Sequence, residues 1–333
     1  MAKLPSKTMG VIENQVILRT NMAGATRLPH DRGHLLWTAE EGVSRTLLSS
    51  MDRWVTAILA DDGIDSPAFG SSDRIDATVV AKGDGIVAGT AMVDHLLQIW
   101  APAIQVNWRA SDGKKVANGE EIANLNGCRD SILLFERSIL NILGHLSGIA
   151  TETRKWASKA ARQVACTRKT TWGLLDKWAV HLGGGLTHRL TREDALMIKE
   201  NDLAAIGDAN LTNDRKIAQL IQSQQTDALL SFIEIEVRTE KEALTAAAVW
   251  HQTHQDSNAQ LVIMLDNFGP ERCKDVAAQL SDMGLRDVAL LEASGNITYD
   301  SLDDWFECGV DVLSTSAINR GVPPLDISMM MGE

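Results

Sequence analysis

The stretch from Phe232 to Gly295 carries three short apolar runs, FIEIEV at Phe232–Val237, LVIML at Leu261–Leu265 and VALL at Val288–Leu291, and their reading decides the fold. Each is too short for a buried helix, rich in β-branched or aliphatic residues, and separated from the next by a run with helical spacing, so each reads as a buried strand. Three further runs fit the series: Val164–Cys166, Ala195–Ile198 and Val310–Leu313. Strands that alternate with helices at this spacing are parallel, with the helices as crossovers. Every strand ends in polar residues. Cys166 is followed by Thr167-Arg168-Lys169, Ile198 by Lys199, Leu265 by Asp266-Asn267, Leu291 by Glu292-Ala293-Ser294-Gly295 and Leu313 by Ser314-Thr315-Ser316, while Glu236 sits in the last turn of its own strand. In a β/α barrel the C-terminal strand ends ring one mouth, so these side chains should converge. Six strands predict a small, incomplete barrel.

Upstream the texture changes. Residues 1–35 mix Gly, Pro, Asn and charge without period and read as an irregular lead-in. Apolar residues from Leu35 to Ala60 recur at helical spacing, predicting one amphipathic helix broken at most once. Ala77–Ala81, Gly83-Asp84-Gly85 and Ile86–Ala88 read as strand, glycine turn and strand. Gly113, Val116, Gly119 and Ile122 repeat a turn-and-strand spacing that resembles lipoyl and biotinyl carrier domains. That resemblance brings a rival function, a carrier or binding protein, but the lysine such a domain exposes at a hairpin tip is missing. The pattern is read as a small sheet layer. The expected division is a first α/β unit over 1–137, to which a tail 318–333 returns, and a barrel over 138–317.

Composition narrows the function classes. The chain has 333 residues, 44% hydrophobic and 23% charged, which suits a folded protein large enough for two cores. With 32 Lys and Arg against 44 Asp and Glu, the formal charge of −12 repels phosphate backbones and anionic lipid. Nucleic acid and membrane are therefore not expected partners. No apolar run of signal-peptide or membrane-span length appears, so residence in the cytoplasm is expected. Cys128, Cys166, Cys273 and Cys308 form no CxxC pair and read as reduced thiols.

Against that negative charge, the barrel mouth gathers cations. Arg168, Lys169 and Lys199 are joined by His188 and Arg189 from the loop Gly183-Gly184-Gly185-Leu186-Thr187-His188-Arg189. Such a cluster repels itself unless anions occupy it, and Arg and Lys suit carboxylate or phosphate. Glu236 and Asp266 are hard oxygen ligands of the kind Mg²⁺ takes alongside substrate phosphates. Ser294-Gly295, between a strand and a helix, offers backbone N–H groups to a phosphate.

These motifs also identify a family. Thr167-Arg168-Lys169-Thr170, the Gly183–Leu190 loop, Ala195–Lys199, Ile233–Val237, Met264–Phe268, Leu291–Gly295 and the helix Phe135–Thr151 occur in the order and at about the spacings of the quinolinate phosphoribosyltransferases. The resemblance implies an open-faced α/β sandwich packed on an incomplete α/β barrel, in a homodimer that could assemble further. It implies transfer of phosphoribosyl from phosphoribosyl pyrophosphate to quinolinate, with loss of CO₂ to give nicotinate mononucleotide. By the same resemblance Arg168, His188, Arg189 and Lys199 would grip the quinolinate carboxylates, and Lys169 would lie between the two substrates. Arg137 would reach the neighbouring subunit's site. Glu236 and Asp266 would hold the ribose and Mg²⁺, and Ser294 with Gly295 the 5′-phosphate.

Several positions depart from the family pattern. Lys199-Glu200-Asn201-Asp202 stands where Lys-Asp-Asn-His is usual, Asn296 follows Gly295 where a second glycine is usual, and Ser316-Ala317-Ile318-Asn319-Arg320 replaces Gly-Ala-Leu-Thr-His. Ser316 and Arg320 therefore become candidates for a remodelled phosphate site. The departures keep open a paralogue acting on another pyridine or azole carboxylate. A Schiff-base aldolase using Lys199 or Lys169 fits a barrel but not the surrounding charges. His30 with His34, and His251 with His254, have helical spacing but lie in polar sequence and read as solvated.

Overall fold

The computed structural model describes residues 28–70, 73–161, 163–208, 210–224, 232–254, 257 and 259–332. Two-residue strands β1 (Trp37–Thr38) and β2 (Gly42–Val43) form a hairpin ahead of helix α1 (Arg45–Asp61). The helix thus starts ten residues later than the periodicity suggested. Gly42 takes φ +72° in the hairpin turn, and Ser44 Oγ then accepts the Leu47 amide at 3.2 Å as the N-cap. From there Leu47, Met51, Val55 and Leu59, four apart, are fully buried, each contributing about 2 kcal/mol on leaving water.

The first half then builds β3 (Arg74–Ala81), β4 (Gly85–Ile86), α2 (Thr90–Trp100), β5 (Gln105–Trp108), β6 (Lys115–Val116) and β7 (Glu121–Cys128), and runs without a break into α3 (Arg129–Lys159). β3, β7 and β5 pair antiparallel, and β14 (Ile327–Met331), near the C-terminus, adds itself to the outer side of β3. Period-two alternation separates the faces. Ala77, Val79 and Leu125 are buried, whereas Arg74, Asp76, Thr78, Asn124 and Asn126 make a hydrogen-bonded polar ladder on the open side. Helix α3 passes through residue 137 and packs on this sheet. It can take the returning tail because Gly148 has no side chain: an added Cβ would lie 2.3 Å from the Pro323 carbonyl oxygen. Within α3 lies the one stretch among the described residues apolar and long enough to cross a membrane, and it is 67% buried.

The second half alternates as the sequence suggests: β8 (Val164–Cys166), α4 (Leu174–Gly183), β9 (Leu196–Ile198), α5 (Glu200–Ala205), α6 (Asn213–Ser223), β10 (Phe232–Val237), α7 (Glu240–Thr253), β11 (Gln260–Asp266), α8 (Pro270–Asp282), β12 (Ala289–Ser294) and β13 (Val312–Thr315). All six strands are parallel, in the order β8-β13-β12-β11-β10-β9. β8 and β9 are the two ends of that sheet, so the barrel is open between them. A bridge from Leu186 to Ala165 lays the loop after α4 along the β8 edge.

Candidate active site

The strand ends assemble one mouth. Glu236 is the last residue but one of β10 and Asp266 closes β11; Asp266 pairs across to Ser294 at the end of β12, and Ser294 to Ser314 on β13. Arg168 and Lys169 follow β8 and are exposed. Asn319, buried, donates from Nδ2 to the Lys169 carbonyl at 3.0 Å and ties the loop after β13 to the loop after β8. Ser316 is half-buried and Arg320 exposed in that same loop; the Arg320 guanidinium has no hydrogen bond or ion pair among the described residues. Gly295 takes φ +96°, and an added Cβ would lie 2.2 Å from Asn267 Oδ1, so glycine is required there.

Lys199 sits differently from the expectation of a free cation. Its Nζ donates to Glu236 Oε2 at 2.6 Å. The unusual Asp202 also has a definite place: its Oδ2 accepts the Lys199 backbone N–H at 2.8 Å, capping α5. Asp202 thus shapes the backbone at Lys199 and leaves the ammonium to Glu236. Arg189 is buried, with Nη1 on the Ala195 carbonyl at 3.2 Å. Burial and the cations Arg168 and Arg192 press against its charge, while Glu234 and Asp194 support it. An anion bound beside Arg189 would relieve both burial and the neighbouring cations.

Glu236 and Asp266 offer the oxygen donors a hard divalent cation takes. One Glu236 oxygen is engaged by Lys199, and the cation paired with Asp266, Arg238, keeps 3.8 Å away. The donor set fits Mg²⁺ shared with substrate phosphates.

His188 lies below this ring. It is 4% exposed and adopts φ +53°, and its Nε2 faces Glu234 at 3.4 Å and Glu292 at 3.3 Å. Burial opposes charge on the ring, but the two carboxylates outweigh it and raise its hold on a proton. The Arg189 amide nitrogen lies 2.8 Å from Nδ1, and Nε2 is aimed at the carboxylates. Both ring nitrogens are therefore occupied within the protein, where the sequence led us to expect a contact to substrate. Burial pushes the Glu234 carboxyl up, more than His188 pulls it down, and the charge of Glu292 adds to the rise. Glu292 goes the other way: burial disfavours its charge, yet His188 and His30 hold it below the usual range.

Two other contributors left no local pattern in the chain. His30, expected to be solvated, is fully buried with Nε2 2.9 Å from Glu292 Oε2. Lys177 on α4 is buried too, and its Nζ donates to the Thr187 carbonyl at 2.7 Å, fixing the chain just before His188. Glu234 and Glu292 did leave a trace, a carboxylate inside the run Phe232–Val237 and another directly after Val288–Leu291. Arg137 is exposed on α3 beside Leu133 and Leu134, which are 50% and 46% exposed.

Comparison with known proteins agrees with this geometry. Residues 57–147 match the quinolinate phosphoribosyl transferase N-terminal domain, and residues 149–330 the C-terminal domain. A probable nicotinate-nucleotide pyrophosphorylase (carboxylating) of Archaeoglobus fulgidus is 34% identical over 77% of this chain and 93% of its own. The chloroplastic nicotinate-nucleotide pyrophosphorylase (carboxylating) of Oryza sativa is 36% identical over 78% of this chain and 70% of its own. The solved nicotinate-nucleotide pyrophosphorylase of Francisella tularensis superposes with a TM-score of 0.70 at 28% identity, over 86% of this chain and 97% of that one. With both domain types matched in order around a mouth of this chemistry, the chain belongs to the quinolinate phosphoribosyl transferase family.

Proposed function

We propose that this protein transfers the phosphoribosyl group of phosphoribosyl pyrophosphate to the ring nitrogen of quinolinate and releases CO₂, leaving nicotinate mononucleotide and pyrophosphate. The observation that carries the reading is the pairing of cations Arg168, Arg189 and Lys199 with the carboxylates Glu236 and Asp266 around one mouth. A dicarboxylate neutralises the former, and a ribose that loses pyrophosphate is stabilised by the latter.

In this reading Arg168, Arg189 and Lys199 hold the two carboxylates, and Lys169 lies between the acid and the sugar pyrophosphate. Lys199 is exchanged from Glu236 to the substrate, which frees Glu236 for the ribose. Holding the nitrogen against C1 converts a bimolecular step into a local one. As the C1–oxygen bond breaks, positive charge grows on the ribose ring beside Glu236 and Asp266. Glu236 and Asp266 would hold Mg²⁺, which would supply charge neutralisation for the departing pyrophosphate. The N–H groups around Ser294 and Gly295, with Arg320 and Ser316 from the facing loop, receive the 5′-phosphate. The quaternised nitrogen then stabilises the carbanion left at the adjacent ring carbon as CO₂ departs, and a proton fills that position. Arg137 has no partner among the described residues of its own subunit and stands beside exposed Leu133 and Leu134, which supports a homodimer in which it reaches the other site.

The test is purified protein with Mg²⁺ and phosphoribosyl pyrophosphate, offered quinolinate or nicotinate, with nucleotide and CO₂ both measured. Equal release of nucleotide and CO₂ from quinolinate alone is expected. Turnover of nicotinate at the same rate, or nucleotide without CO₂, overturns the reading.

A further inference from the structure

We propose that His30 is a positioning residue: carried by a segment that precedes the family-matched part of the chain, it locks the Thr187–Arg189 turn beneath the acid-binding cations. The proposal rests on the functional reading above for what that turn binds, though not for the contact itself.

Three independent contacts join the segment to the turn. His30 enters the barrel interior, with Nε2 2.9 Å from Glu292 and its ring edge-on to His188 at 5.1 Å and 4.9 Å from Phe232. The Arg32 amide donates to Thr187 Oγ1 at 3.1 Å, and that hydroxyl reaches back to the His30 carbonyl at 3.4 Å. The Arg32 guanidinium pairs with Asp194 at 2.6 Å, and the other oxygen of Asp194 accepts the Leu190 amide at 2.8 Å. The turn is thus held before and after Arg189.

It has reason to need holding. His188 is not glycine and sits at φ +53°, a conformation that persists only where surroundings enforce it. One enforcing contact is its own Nε2 on Glu292, and Glu292 stays in place because His30 holds its other oxygen. Remove His30 and the carboxylate turns towards the vacated space, His188 follows, and the Arg189 guanidinium beside it shifts.

A metal ion held by His30, His188 and Glu292, whose ligand atoms lie within 4.8 Å of one another, is the competing explanation for so polar an interior. The two carboxylates at the His188 Nε2 decide against it. Glu234 and Glu292 raise the hold of His188 on its proton, so Nε2 carries hydrogen towards them and presents no lone pair to a cation.

The experiment compares wild type with His30→Ala, His30→Gln and Arg32→Ala by two readouts. Hydrogen exchange of the 186–195 peptide, without substrate, should quicken in His30→Ala, while the 260–266 strand peptide is unchanged. In steady state His30→Ala should raise KM for quinolinate about tenfold, as expected for losing a hydrogen bond to a charged group, with kcat and KM for phosphoribosyl pyrophosphate within about twofold. His30→Gln, which keeps a donor near Glu292, should recover most of both effects. Unchanged exchange at 186–195, or a loss spread equally over both substrates and kcat, overturns the proposal. If His30→Ala does not fold, His30→Gln and Arg32→Ala decide: unchanged exchange at 186–195 in Arg32→Ala overturns it. Should wild type fail to use quinolinate, the functional reading falls and the exchange data alone judge His30.

Discussion

Glu234 and Glu292 face the same histidine and should respond oppositely to the same substitution. In Glu292→Gln the anion that His30 and His188 both address is gone. Removing one partner of a buried pair typically costs about 3–5 kcal/mol, or roughly 10 °C in Tm for a domain of this size. Glu234→Gln differs because burial already favours the neutral form of the Glu234 carboxyl. A glutamine is nearly isosteric with that neutral form. The unfolded chain gives up this proton above about pH 4.3, so above that pH the folded state binds more protons and stability falls as pH rises. The slope is at most about 1.4 kcal/mol per pH unit and ends where the folded carboxyl ionises. Glu292, held below its ordinary value, acts in the other direction: its contribution is present above about pH 4.3 and lost below. Wild-type Tm should therefore peak on the mildly acid side and decline as pH rises, with His188, whose hold on a proton is raised, adding to the decline above about pH 6.5. Glu234→Gln should make that decline shallower, so that its deficit against wild type narrows from pH 6 to pH 9, while Glu292→Gln is lower throughout. Thermal melts at pH 5, 6, 7.5 and 9 measure this. A Glu234→Gln protein destabilised as much at pH 9 as at pH 6, or a Glu292→Gln protein within about 1 kcal/mol of wild type, refutes the opposite shifts of the two carboxyls.

Three further outcomes are expected. Arg137→Ala and Lys169→Ala proteins should each be nearly inactive, and mixing them under subunit exchange should restore activity through the one intact site of the hybrid dimer; no recovery with proven exchange places Arg137 outside the partner's site. Arg320→Ala should raise KM for phosphoribosyl pyrophosphate about tenfold and leave that for quinolinate unchanged, as for a lost charge-assisted phosphate contact, measured in initial-rate assays. Gly295→Ala places a Cβ against Asn267 at a left-handed φ, so it should cost about 1–2 kcal/mol in melts and raise the same KM.

Legibility followed periodicity. Six strands and the helices between them were readable because buried parallel strands are apolar runs, and their polar ends announced the mouth. The amphipathic helix was readable too, but its start was not: Thr38–Gly42 makes a hairpin whose two-residue strands leave no periodic trace. His30 was missed for a sharper reason. Its neighbours Asp31, Arg32 and His34 are polar, and nothing local shows that one of them is driven into a barrel by a carboxylate 262 positions away. Asp202 and Lys199 were read by position in a motif, and only the structure shows that the carboxylate takes a backbone amide while the ammonium takes Glu236.

Depth along a strand divides the labour among chemically identical groups. Glu234 and Glu236 are two residues apart on β10 and so point to the same side of it, as do Glu292 and Ser294 on β12. The outer member of each pair reaches water: the Glu236 side chain is 14% exposed, and its partner Lys199 is 44% exposed. An ion pair in that setting is weak enough to be exchanged for a substrate anion. The inner member has no water to fall back on: burial pushes Glu234 towards its neutral form, and the charge of Glu292 is answered by His188 and His30. A site that must rearrange for each substrate therefore stands on a layer that cannot. Substitutions in the outer layer should act on KM and kcat at constant Tm, whereas substitutions in the inner layer should act on Tm and reach the chemistry only through the Arg189 turn.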